Sequence, residues 1–311
     1  MPYGRITGWA TNLPDRILTN DDLTQMVDTS DEWITARTGV KTRHIDGKVT
    51  EMSTSAALDA MTMAGVSPDQ IDLLLLATTS PDQQIPASAS VIQHSLGLTC
   101  GAFDLNAACS GFVYGLVTAM QFIQGGMKRI LVIGSDSLSS ITNWEDRGTC
   151  ILFGDGAGAF VVENSGEQPS LLGWDLMSDG EAADLLYCEH GDKIVMDGQA
   201  VFRKAVLAME AAALTAMDKA NVVSDEIKLV VPHQANIRII ESALKRLDIP
   251  MEKAAVVLSS TGNTSAASIP LAFVDAVNNG RVEPDDLVLL VGFGAGMTSA
   301  AAVVRWDPPK T

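Results

Sequence analysis

The amino-acid sequence predicts an α/β fold built from two duplicated halves, and three observations carry that expectation. Short β-branched or leucine-rich runs alternate with alanine-rich amphipathic stretches, the pattern of sheets covered by helices. The chain also repeats itself. Displaced by 156 positions, Ala56, Ala57, Leu58, Ala60, Met61, Ala64, Val66, Asp69, Ile71 and Leu73 fall without a gap on Ala212, Ala213, Leu214, Ala216, Met217, Ala220, Val222, Asp225, Ile227 and Leu229. Finally, 311 residues, 47% hydrophobic and 19% charged, are too many for one minimal domain and apolar enough to bury a large core.

In chain order, the runs 71–77, 102–105, 130–134, 228–231 and 287–292 read as buried strands, and 87–96 and 237–247 as helices between them. The spacing of Phe112, Leu116, Met120 and Ile123 marks one face of a further helix, which starts near Ser110 and stops at Gly125. With the displacement enlarged by two, Leu131 to Gly134 (L-V-I-G) falls on Leu289 to Gly292 (L-L-V-G), so each half carries a later buried strand in the same order. The turn-rich stretch 163–170 (E-N-S-G-E-Q-P-S) is the expected junction, dividing the chain into 1–165 and 166–311. It is too short for a flexible linker, so the halves should pack tightly.

The formal charge of −17 opposes nonspecific binding to nucleic acid, and an anionic partner must find a local basic patch. The apolar runs 73–77 and 287–291 fall far short of the roughly 20 residues of a membrane span, so no membrane insertion is expected. The amino terminus has no basic segment followed by a long apolar one, and a soluble cytoplasmic protein is expected. Cys100, Cys109, Cys150 and Cys188 are too widely spaced for a metal motif or a disulfide framework, and each reads as a free thiol.

Four features bear on chemistry. Cys109 stands at the corner between a strand and a helix, where unsatisfied N–H groups favour a thiolate; a small buried hydrophobe is the other reading, and position alone does not decide. His233, in V-P-H-Q-A-N, follows a buried strand; its counterpart at a displacement of 156 is Ala77, and a departure from apolar to imidazole points to function. Asn263 lies in T-G-N-T-S-A-A-S, a glycine-centred turn in which asparagine is also an ordinary structural choice. G-F-G-A-G-M, 292–297, could present N–H groups to an oxyanion or form a tight turn.

Taken together, Cys109 in A-A-C-S-G-F, His233 in V-P-H-Q-A-N, Asn263 in G-N-T-S-A-A-S and the terminal F-G-A-G resemble the Cys-His-Asn set of the β-ketoacyl-acyl carrier protein synthase III family. The likeness extends to D-T-S-D-E-W-I (28–34), R-T-G-V (37–40), D-R-G-T (146–149) and F-G-D-G-A-G-A (153–159). The resemblance implies a thiolase-like, five-layered αβαβα fold and a homodimer. It implies that Cys109 accepts an acyl group from an acyl-CoA, with its own N–H and one near Ala295 as oxyanion hole. Condensation with malonyl-acyl carrier protein would follow, His233 and Asn263 stabilising the enolate left by decarboxylation. Coenzyme A thioester is then a substrate, and neither cofactor nor metal is implied. A thiolase-type second cysteine is absent, since the last cysteine is Cys188.

By the same resemblance Trp33, Arg37 and Arg147 would meet the adenine and phosphates of coenzyme A. Gln199, Phe202 and Asn236 would line the pantetheine tunnel. Arg203, Lys204, Arg238, Lys245 and Arg246 would form the patch for an acidic carrier protein; Arg238 and Lys245 lie seven apart on one helical face. Ile85 stands where relatives often place a phenylalanine that reaches the partner's acyl pocket. Thr261 replaces a frequently larger residue, and the stretch 185–197 is short. The alternatives are transfer of the acyl group to another nucleophile, as in secondary metabolism, or a Cys-His-Asn thioester hydrolase.

Overall fold

A computed structural model describes residues 3–166 and 168–309. In chain order the first part contains β1 (Tyr3–Asn12), β2 (Ile17–Thr19), α1 (Asn20–Leu23), α2 (Asp31–Thr38), β3 (Thr42–His44), α3 (Val49–Ala64), β4 (Leu73–Ala77) and α4 (Ser88–Ser95). It continues with β5 (Gly101–Leu105), α5 (Gly111–Gln124), β6 (Arg129–Ser137) and β7 (Asp155–Gly166). The second part contains β8 (Leu171–Met177), β9 (Leu186–Tyr187), β10 (Val195–Met196), α6 (Gly198–Ala220), β11 (Ile227–Pro232) and α7 (Ile237–Arg246). It ends with α8 (Leu258–Thr261), α9 (Ser268–Asn278), β12 (Leu287–Gly294) and β13 (Thr298–Arg305).

Two sheets organise the chain, ordered β1-β7-β6-β4-β5 and β11-β12-β13-β8. β4 runs parallel to β5 and β6, and β11 parallel to β12, while β7 and β13 are antiparallel to both their neighbours. Leu73 and Leu75 face a core filled by α5, whereas Leu74 and Leu76 face one filled by α3 and α4. That is why this strand is apolar at every position: both faces of its sheet are covered. β11 and β12 behave alike, with Leu229, Val231 and Leu290 facing α5 and α9, and Val230, Leu289 and Val291 facing α6 and α7. The layers therefore run α3/α4, first sheet, α5/α9, second sheet, α6/α7, a five-layered αβαβα fold.

The repeat is carried into three dimensions. α3 ends at Gly65 and α6 at Asn221, 156 residues apart, and both caps are left-handed, with φ of 65° and 55°. Single 3₁₀ turns at Pro68–Gln70 and Ser224–Glu226 keep that displacement. Each half next places a short 3₁₀ turn before its central helix: Ala108–Ser110 before α5 and Ser265–Ala267 before α9.

Two expectations are corrected. The run 102–105 is not a buried strand: β5 is the free edge of its sheet, none of its residues is buried, and Phe103 is 38% exposed. The stretch 163–170 is not all turn, because β7 continues to Gly166, where it pairs with Tyr3 of β1.

Candidate active site

Cys109 occupies the 3₁₀ turn that leads into α5, and an unusual backbone holds it there. Ala108 has φ +46°, a left-handed conformation that costs an L-residue about 1–2 kcal/mol. Three contacts compensate: Asn106 Oδ1 accepts from the Ala108 N–H at 3.1 Å, the Ser110 hydroxyl donates to Thr298 Oγ1 at 2.8 Å, and the Thr298 hydroxyl donates to Ala107 O at 2.9 Å. Gly294 packs directly beneath, where a Cβ would lie 2.6 Å from the Cys109 nitrogen, so only glycine permits this approach.

His233 directly follows β11 and is buried. Its N–H donates to Val291 O at 2.8 Å, its Nδ1 lies 2.6 Å from the Ser268 hydroxyl, and its ring meets Phe293 edge-on at 5.3 Å. Asn263 is fixed by its backbone, donating to Leu152 O at 2.8 Å and accepting from Gly154 N at 2.9 Å. Its side-chain Oδ1 accepts from Ser265 N at 2.9 Å, which commits the oxygen and leaves the NH₂ as the end able to donate.

Burial dominates the electrostatics. It pushes the Cys109 thiol up to about 12; the Ser265 hydroxyl and the residue's own N–H oppose the rise, and the Asp136 carboxylate adds to it. A helix N-terminus stabilises an anion by at most about 2 kcal/mol, roughly 1.5 pH units, and does not offset that desolvation. The easily ionised thiol expected from the corner is thus corrected to a protonated one at rest. The same cause holds the His233 imidazole down at about 3, uncharged at neutral pH.

Cys109, His233 and Asn263 line one cavity of about 760 Å³, together with Trp33, Arg37, Gln199, Phe202, Arg203, Asn236 and Arg238. Trp33 lies within 4.5 Å of the Arg37 guanidinium and 4.8 Å of that of Arg147, which also donates to Asp28 O. Asn236 is committed at both ends of its amide, accepting from Arg238 N and donating to Arg37 O, and so caps α7 while lining the cavity. In the basic set, Lys204 pairs with Asp179 at 2.7 Å and Arg246 with Glu210 at 2.5 Å, whereas Arg203, Arg238 and Lys245 are exposed.

A second cavity, of about 910 Å³, reaches Cys109 by another wall that includes Ala295, Thr298, Leu138, Ile141 and Ile194. Ile85 lines neither cavity and is 83% exposed, although its neighbour Gln84 lines the second. Sequence reasoning missed Ser268, Ser265, Gly294 and Asp136. Ser265 and Ser268 lay inside a quoted motif without a role; Asp136 and Gly294 correspond when the L-V-I-G match is extended by two residues.

Residues 103–180 match the family described as 3-oxoacyl-[acyl-carrier-protein (ACP)] synthase III, and residues 217–306 match that family's C-terminal region. The chain is similar to the β-ketoacyl-[acyl-carrier-protein] synthase III 1 of Bacillus anthracis, 45% identical over 306 residues that cover 97% of this chain and 98% of the relative. It superposes on the 3-oxoacyl-[acyl-carrier-protein] synthase III of Aquifex aeolicus VF5 with a TM-score of 0.95 at 44% identity, covering 97% of this chain and all of the other. The corresponding synthase of Pseudomonas aeruginosa PAO1 gives 0.94 at 37%, with 99% and 100% covered.

Proposed function

Because the chain belongs to the β-ketoacyl-[acyl-carrier-protein] synthase III family, we propose that it condenses an acyl-CoA starter with malonyl-acyl carrier protein, initiating fatty acid synthesis through an acyl-Cys109 intermediate. One observation carries the assignment of roles: a thiol from the first half, and an imidazole and a carboxamide from the second, line a single cavity.

In the first stage the Cys109 sulfur attacks the thioester carbonyl, and its proton leaves with the departing thiolate as coenzyme A. His233, buried and uncharged with its Nδ1 engaged by Ser268, lines the same cavity as Cys109 and is kept for the second stage. The Cys109 N–H and the backbone at Ala295 receive the tetrahedral oxyanion. In the second stage the C–CO₂⁻ bond of malonyl-acyl carrier protein breaks and its electron pair stays on carbon as an enolate. With the Ser268 hydroxyl donating to Nδ1, the His233 proton sits on Nε2; this N–H and the Asn263 NH₂ donate to the enolate oxygen. The carbanion attacks the acyl thioester, Cys109 leaves as thiolate and is reprotonated, and β-ketoacyl-acyl carrier protein and CO₂ are released. No cofactor is required.

Trp33, Arg37 and Arg147 are proposed to hold the coenzyme A nucleotide, and Gln199, Phe202 and Asn236 its pantetheine arm. Arg203 and Lys245 are the members of the basic set free to meet an acidic carrier protein, and Arg238, exposed but donating to Ala36 O at 2.7 Å, is held beside them. The reading takes 1–165 and 166–311 as the two halves, a homodimer as the assembly and the cytoplasm as the location. Among the described residues no helix is long and apolar enough to cross a membrane.

Intact mass after incubation with acyl-CoA tests the reading. An acyl adduct is expected on wild type and not on Cys109→Ala, and malonyl-acyl carrier protein should discharge it as β-ketoacyl product. Discharge to free acid without that acceptor would favour the hydrolase instead.

A further inference from the structure

The duplicated corners are alike in detail and differ above all in one place. At a displacement of 157, Asn106, Ala108, Cys109 and Gly111 correspond to Asn263, Ser265, Ala266 and Ser268. Asn106 Oδ1 accepts from Ala108 N at 3.1 Å, just as Asn263 Oδ1 accepts from Ser265 N at 2.9 Å, and Ala108 and Ser265 are both left-handed, with φ of 46° and 50°. Facing each corner is the end of the later strand of the opposite half, β12 against Cys109 and β6 against Ala266. A Cβ at Gly134 would lie 2.4 Å from Ala266 O, and one at Gly292 3.6 Å from Cys109 O, so the second corner is the tighter of the two.

Two residues further on the symmetry breaks. Gly294 leaves the Cys109 N–H open, whereas its counterpart Asp136 places a fully buried carboxylate on the Ala266 N–H, Oδ2 to N 3.0 Å. The other oxygen, Oδ1, accepts from Thr78 Oγ1 at 3.0 Å, Thr79 N at 2.7 Å, Ser80 N at 3.0 Å and Ser80 Oγ at 2.8 Å. A carboxylate buried at this depth among neutral donors is expensive to keep, and five hydrogen bonds leave it little freedom to move.

We propose that Asp136 is a positioning residue for the condensation stage: it fills, in the silent corner, the place an oxyanion takes in the active one, and so fixes the segment that carries Asn263 and Ser268. Ser268 in turn orients His233 through Nδ1, so one carboxylate sets both enolate donors. The Cys109 N–H belongs to the other corner and does not depend on it. The proposal rests on the two-stage reading given above. Burial raises the Asp136 carboxyl above its ordinary value, and its charge opposes ionisation of Cys109. Removing the charge should therefore leave the acylation stage no slower.

Asp136→Asn keeps the size of the side chain, but its amide NH₂ faces the Ala266 N–H in place of an acceptor. Acylation of Cys109 by acyl-CoA, followed by rapid-quench mass spectrometry, is expected to be at least as fast as in wild type. Condensation should lose at least about tenfold in kcat, at an unchanged KM for malonyl-acyl carrier protein, the scale of a small misplacement of reacting groups. Thr78→Val removes one Oδ1 donor at constant volume; it should show the same split at about threefold and keeps the question open to test should the first variant not fold. Equal loss in both stages, or no loss in condensation, overturns the proposal. Absence of an acyl adduct on wild type sinks the two-stage reading itself, before any variant is compared.

Discussion

Cys109 and His233 are kept uncharged by the same cause, removal from water, acting in opposite directions on an acid that ionises to an anion and a base that ionises to a cation. The thiol is pushed up to about 12 and the imidazole down to about 3, so across the intervening range both stay neutral at rest. Alkylation of Cys109 by iodoacetamide, followed by peptide mapping to separate it from the exposed Cys188, should therefore rise about tenfold per pH unit between about pH 7 and 9, without a plateau. A plateau already reached at pH 7 would mean a thiolate at rest and would overturn this account. The sequence made Cys109, His233 and Asn263 visible through motif wording, and the repeat marked His233 besides. Protonation was not legible there, because burial depends on what the rest of the chain packs over a residue. Asp136 escaped for a related reason: its meaning lies in a comparison with Gly294, and a lone aspartate in I-G-S-D reads as an ordinary strand end.

At the scale of elements, the matched helix ends allow a paired test of the repeat. A side chain at Gly65 would meet nothing within 4 Å, so Gly65→Ala exposes only the cost of a left-handed alanine, about 1 kcal/mol. Asn221→Gly, at the equivalent cap of α6, relaxes the same constraint and should gain a few tenths, roughly 0.5 kcal/mol. Urea midpoints read both, and two shifts of one sign would show that the caps are not equivalent. Helices and inner strands were legible because 3.6-residue and all-apolar patterns persist in the sequence. β5 was not: a short run such as A-F-D-L looks the same inside a sheet or on its rim, and only strand order separates the two.

At the scale of the molecule, that rim matters for assembly. β5 leaves unpaired N–H and C=O groups along one edge of the first sheet, with Phe103 partly exposed, and the neighbouring loop presents Ile85 to solvent. Natural edges are protected by charge or by pairing, and this one has an apolar side chain at its centre. Joining two such edges is the way the proposed homodimer would close it. Sedimentation velocity should find a dimer for wild type and a monomer for Phe103→Lys; a monomeric wild type would rule the assembly out. The five layers were legible as an α/β duplication, but which sheet ends free was not. Finally, the two cavities share Cys109, Phe153 and Leu186 and otherwise have different linings. Choosing what is transferred and gripping the handle that delivers it are thus coupled through those shared side chains. Leu138 and Ile194 line only the second cavity but pack on Phe153 and Leu186, which line both, so a change of volume there is felt on the two sides together.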